Sequence, residues 1–107
     1  MQQTLLNTVG DWVSAPMPLP RRRTDVREHR VDDEAVLLDP RTGETYMLTR
    51  TALDVWSHCD GAHFAPDVAY RHVRLYDVDL ASALDQVEQV VAFFAEANLL
   101  EFDESAG

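Results

Sequence analysis

The sequence predicts an α+β domain in which a three-stranded antiparallel sheet is followed by three helices. Three observations point there. Residues 26–48 hold three short runs rich in strand-forming residues, VREHRV, EAVLL and ETYML. They are separated by Asp32-Asp33 and by DPRTG, both with the chemistry of hairpin turns. From Thr49 onward the apolar period changes to that of a helix and stays there.

Size and charge bound the function before any motif is considered. The chain has 107 residues, 46% of them apolar, and a net charge of −10. That length fits one domain, which buries roughly 65% of the surface its unfolded chain would expose. All nine positive side chains are arginine, and the charge is uneven: residues 1–48 carry six positive against eight negative, residues 49–107 three against eleven. Such a surface repels a phosphate backbone, so nucleic acid and anionic membranes are poor partners. Cys59 is the sole cysteine and has no partner for an internal disulfide. No secretory signal pattern opens the chain and no apolar run approaches eighteen residues, so a cytoplasmic protein is expected.

Residues 1–23 read as an arm and linker. Leu5, Leu6, Val9, Trp12 and Val13 follow helical spacing, weakened by Gly10. Pro16, Pro18 and Pro20 then impose an extended spacer that ends in the positive block Arg21 to Arg23. The arm is open to three readings: disordered, docked on its own domain, or in contact with a partner enzyme or a second copy, which would make a homodimer. The domain itself is expected over 24–103, with a flexible tail at 104–107.

In the second hairpin, Pro40 presets φ for a turn position and Gly43 takes the left-handed conformation that closes the loop. Thr49 is placed to cap the first helix, whose Ala52, Val55, Trp56 and Cys59 share one face and which Gly61 stops. Pro66 and Asp67 suit the first turn of the second helix, with Val68, Ala69, His72, Val73 and Tyr76 inward. Asp77 or Asp79 caps the third. On a 100-degree wheel its Leu80, Leu84, Val87, Val91 and Phe94 fall within about 40 degrees of one line, and Asn98 ends it in the left-handed conformation.

A three-stranded meander has two edges, and an unprotected edge invites another chain. Arg27, Glu28, His29 and Arg30 crowd the first strand with charge, whereas Thr45, Tyr46, Met47 and Leu48 carry none. The third strand is therefore the edge left for a guest strand, unless the arm, a helix or a dimer partner covers it. The third helix is also apolar beyond its core line: Ala83, Val90, Phe93 and Ala97, with Gln86 among them, lie about 60 to 140 degrees to one side. That flank either packs on the first helix or forms the second wall of a peptide groove, with Phe93 the residue farthest from the core line.

VLLDPRTGETYMLTRTALDVW, then CDG, then a second helix ending near Tyr76 and a long helix ending NLL resembles the PqqD-like family. Its members serve as recognition elements that bind the leader peptides of ribosomally made, post-translationally modified peptides (RiPPs). The resemblance spans roughly residues 26–101, and the LLDPRTG hairpin is most similar to free-standing versions from lasso-peptide pathways. It implies a winged-helix-like fold and a non-catalytic role. The leader peptide would add as a strand to the third strand and set apolar side chains against the third helix. On this sequence the implied peptide-binding residues are Thr45, Tyr46, Met47, Leu48, Gln86, Val90 and Phe93. The implied partners are a precursor leader peptide and a modifying enzyme or leader protease of the same pathway.

Catalysis finds little support in the residues. His58, Cys59, Asp60 and His63 are dense in sequence, but neighbours on a helix point 100 degrees apart and Cys59 continues an apolar stripe. No phosphate loop, nucleophile elbow or paired carboxylates are visible, and neither a cofactor nor a metal is expected. The alternative suggested by a winged-helix fold is a DNA-binding transcription regulator. It would need arginines on the reading helix; the second helix has Arg71 and Arg74, and the third has no basic residue.

Overall fold

The computed structural model describes residues 18–102. Strands β1 (Arg21–Arg22), β2 (Arg27–Val31), β3 (Glu34–Leu38) and β4 (Thr45–Leu48) precede helices α1 (Arg50–Ser57), α2 (Ala65–Tyr76) and α3 (Leu80–Glu96), and β5 (Leu100–Glu101) follows. Strands β2, β3 and β4 form the expected antiparallel meander in that order. A second, two-stranded sheet pairs β1 with β5.

The hairpins form for local reasons. Between β2 and β3 the two-residue loop has Asp32 at φ 58, a positive φ that aspartate tolerates better than most residues and that tight hairpins require. Between β3 and β4 the Gly43 amide donates to Asp39 O at 2.7 Å and the Asp39 amide to Glu44 O at 2.9 Å. Gly43 sits there at φ 80, where a side chain would be strained. Thr49 caps α1 as expected, its hydroxyl accepting from the Ala52 amide at 3.3 Å. Asp79, of the two candidates, caps α3 through the Ser82 amide at 3.2 Å, while Asp77 takes the left-handed C-cap of α2. Asn98, at φ 60, ends α3 with the Leu99 amide donating to Phe94 O at 3.0 Å.

Three expectations are corrected. First, α1 ends at Ser57, before Gly61, because Arg22 Nη1 reaches its last turn and donates to both Trp56 O and Ser57 O at 2.9 Å. Trp56 O also accepts from the Cys59 amide at 3.1 Å, and the guanidinium adds a donor where carbonyls at a helix end lack their usual intrahelical partners. Second, the buried stripe of α3 is Ala83, Val87, Val91 and Phe94, while Leu80 is 38% exposed. The stripe is rotated by about 25 degrees from the expected line. Helix α3 packs on α2 and α1 together, and the face it turns to them is the one that is buried.

Third, the folded body begins earlier than residue 24. Leu19 has no exposed surface, its amide donates to His63 O at 2.8 Å and its carbonyl accepts from Gly61 at 3.0 Å. Arg23 is buried and forms a bidentate pair with Asp39, both bonds at 3.0 Å, while also donating to Asn98 O at 2.8 Å. Residues 19–23 are thus part of the domain, not a spacer. The arm and its readings lie outside the described residues, as does the tail.

The core lies between β3 and the three helices, around Leu37, Val55, Trp56, Val68, Val87, Val91, Phe94 and Leu99. Trp56 and Phe94 meet edge to face at 5.1 Å, and the Trp56 indole donates to Glu28 Oε1 at 3.0 Å. Asp54 ties α1 to α2, accepting from Arg71 at 3.1 and 3.2 Å and lying 2.8 Å from His72 Nε2. Burial works to raise its carboxyl, but the Arg71 and His72 contacts outweigh it and hold the group below the ordinary carboxylate range. No described helix is long and apolar enough to cross a membrane.

Candidate peptide-binding groove

The pairing of β3 with β4 decides what β4 offers on its other side. Glu44 faces Asp39 in a hydrogen-bonded pair, and such pairs alternate along an antiparallel ladder. Tyr46 and Leu48 therefore bond to Leu37 and Ala35, their register partners. The N–H and C=O groups of Thr45 and Met47 point the other way, and no described strand pairs with that edge. Side chains follow the same alternation in reverse: Tyr46 and Leu48 face the helices, Thr45 and Met47 the far side of the sheet.

The expected site residues are thus sorted into distinct roles. Thr45 and Met47 present backbone that no described strand pairs, Met47 with its side chain 76% exposed. The Tyr46 ring meets Phe93 of α3 edge to face at 5.7 Å, joining strand and helix in one wall. Phe93 remains 45% exposed, Val90 is half-buried and Gln86 is exposed. Leu48 is 3% exposed and belongs to the core, so its side chain has no part in a groove. Of the flanking residues on α3, Ala83 is core as well.

Beyond Phe93 the surface continues as a cleft between the first turn of α1 and α3, lined by Thr49, Thr51, Ala52, Gln86, Gln89 and Val90. None of Thr49, Thr51, Ala52 and Gln89 is among the peptide-binding residues expected from the sequence, where Thr49 and Ala52 have only the roles of cap and inner face of α1. The signal was there for α1, since the chain leaving β4 through a capping threonine must place its first helical turn at the end of the strand.

The hairpin leading into β4 is pinned. Hydrogen bonds from Arg23, then from the Arg41 amide, hold the Asp39 carboxyl below the ordinary carboxylate range. The Tyr46 phenol donates to Glu44 Oε1 at 2.9 Å, which pushes its ionisation up and keeps it neutral. This edge is uncharged along Thr45–Leu48 and bordered by aromatic surface, a geometry suited to an extended peptide.

The His58 to His63 region has a different character. Cys59 is fully buried, and burial pushes its thiol up to about 12, which leaves it a small apolar group. His58 Nδ1 lies 2.7 Å from Asp54 O, and His63 Nδ1 2.8 Å from Asp60 Oδ2. Among the described residues no three His, Cys, Asp or Glu side chains are grouped to hold a metal ion.

Comparison with known proteins places the chain among similar folds. The family model described as coenzyme PQQ synthesis protein D (PqqD) matches residues 34–100. TbiB1 in complex with the TbiA(beta) leader peptide is similar at TM-score 0.68 and 23% identity, over 76% of this chain and 94% of that one. A lasso peptide synthetase B1 complexed with its leader peptide gives 0.66 and 29%, over 75% and 93%. The PqqD part of Methylobacterium extorquens PqqCD, described as a functional stand-alone RiPP recognition element, gives 0.65 and 24%, over 86% and 99%. Among curated proteins none matches significantly.

Proposed function

The chain belongs to the PqqD family, and on that footing we propose that it is a non-catalytic RiPP recognition element. It binds the leader peptide of a ribosomally synthesised precursor by strand addition to β4 and delivers the precursor to a modifying enzyme or leader protease. The observation that carries this reading is the edge of Thr45 and Met47, unpaired among the described residues, beside the Tyr46 and Phe93 rings. The leader peptides bound by the two similar B1 proteins support it, and the 29% identical one favours a lasso-peptide pathway. Bringing precursor and enzyme together raises effective concentration without chemistry of its own. We place this activity in the cytoplasm.

Magnitudes assign separate roles to strand and anchors. Two residues offer four outward backbone groups, worth together about 2 to 6 kcal/mol at 0.5 to 1.5 kcal/mol each. Micromolar affinity needs about 8 kcal/mol, and ordering the peptide consumes part of the gain. Apolar anchors at roughly 1.5 to 3 kcal/mol apiece must therefore enter the cleft along Phe93 and Val90. Titration of candidate leader peptides against wild type, Tyr46→Ala and Phe93→Ala tests this. Each variant should weaken binding about tenfold or more; equal affinity in all three removes the groove. For the DNA-binding alternative no described feature speaks: Arg71 is tied to Asp54, and α3 has no basic residue.

A further inference from the structure

The lips of the groove carry charge of one sign. On α3, Asp85 and Glu96 are exposed and lie within about 40 degrees of the cleft-lining Gln89 on the helical wheel. Asp85 Oδ2 accepts from Gln89 Nε2 at 2.9 Å, which sets that carboxylate beside the cleft. At the other end Glu44 precedes β4 and is exposed; its Oε1 accepts from the Tyr46 hydroxyl, and no arginine among the described residues pairs with its carboxylate. The two arginines that flank β4 in sequence are paired elsewhere. Arg50 pairs with Asp33 at 2.6 Å and lies over the Tyr76 ring, and Arg41 leans toward Asp25 at 3.6 Å.

We propose that the groove selects an extended segment whose apolar anchors are flanked by two basic side chains, one toward Asp85 and one toward Glu44 and Glu96. This deepens the leader-binding reading and rests on it, adding the charge class of the ligand. Asp85 and Glu96 are eleven residues apart on one helix, about 16 Å along its axis. An extended chain covers that distance in about five residues, and residues an even number apart share a face, so the two basic positions fall about four or six apart. A chain of net charge −10 adds a long-range field of the same sign.

Three fluorescein-labelled ten-residue peptides test this by anisotropy. They share an alternating Leu, Tyr and Thr core and carry Lys, Gln or Glu at two positions six apart. At low salt the Lys peptide should bind roughly fivefold or more tighter than the Glu peptide, with Gln between, since two exposed pairs change from repulsion to attraction. The gap should shrink in 0.5 M salt. The triple variant Glu44→Gln, Asp85→Asn, Glu96→Gln, which keeps its hydrogen-bond acceptors, should erase the ranking and leave the Gln peptide unchanged. If the Gln peptide binds and Phe93→Ala weakens it, yet Lys and Glu peptides bind alike, charge selection is overturned and the groove stands. The same holds if the ranking survives in the triple variant. If none of the three peptides binds, both readings are overturned together.

Discussion

Asp39 sits where the hairpin, the N-terminal strand and the end of α3 meet. One buried carboxylate accepts both arms of the Arg23 guanidinium and the Arg41 amide. Sequence alone offers Arg23 as the end of a small positive block that closes a spacer, and Asp39 as the first residue of a turn. Their pairing makes stability depend on pH with a definite sign. The folded carboxyl titrates below the usual value of about 3.9, so its contribution is complete above that pH and is lost as pH falls through the lowered value. Asp39→Asn should lower the melting midpoint at neutral pH, because Arg23 then stays buried without its main counter-charge, and should flatten the decline of stability below about pH 4. Circular dichroism melts from pH 2 to 7 measure both; an unchanged acid limb would show that other carboxylates set it.

At the scale of the element, β4 divides its two edges residue by residue, and that division can be probed with proline. The Met47 amide points to the open edge, so Met47→Pro removes a donor that a guest would use and none that β3 uses. Peptide affinity should fall at least tenfold, with thermal stability lowered far less than by Tyr46→Pro, whose lost amide belongs to the ladder. Comparing the two variants by melting and by peptide titration separates edge from ladder. If Met47→Pro folds and binds normally, the guest does not pair with that edge. Strand β3 was legible to the residue, and β4 nearly so, because alternation and turn chemistry are local. The end of α1 was not, since the side chain that terminates it comes from 34 residues upstream.

For the whole molecule, the N-terminal segment closes the fold. Leu19 fills the core, Arg22 caps α1, Arg23 anchors the hairpin, and β1 covers β5. A fragment of residues 24–107 should therefore melt far below one of residues 18–107. Loss of Leu19 alone costs about 2 to 5 kcal/mol, and each kcal/mol shifts the midpoint of a domain this size by about 4 to 8 °C. Scanning calorimetry on the two fragments decides it, and equal midpoints would return residues 18–23 to the role of a spacer.

The chain's local chemistry was enough for the meander, the three helices with two of their N-caps, and the contrast between a charged first edge and a bare third one. These depend on periods, turns and caps spanning a few residues. Packing decided the rest: which face of α3 is core, that Leu48 turns inward while Tyr46 meets Phe93, and that three arginines after a proline spacer belong to the domain. Each of those outcomes depends on contacts between residues far apart in sequence, such as Arg23 with Asn98, 75 positions away. No local pattern encodes which distant partner will complete a buried charge or a helix end.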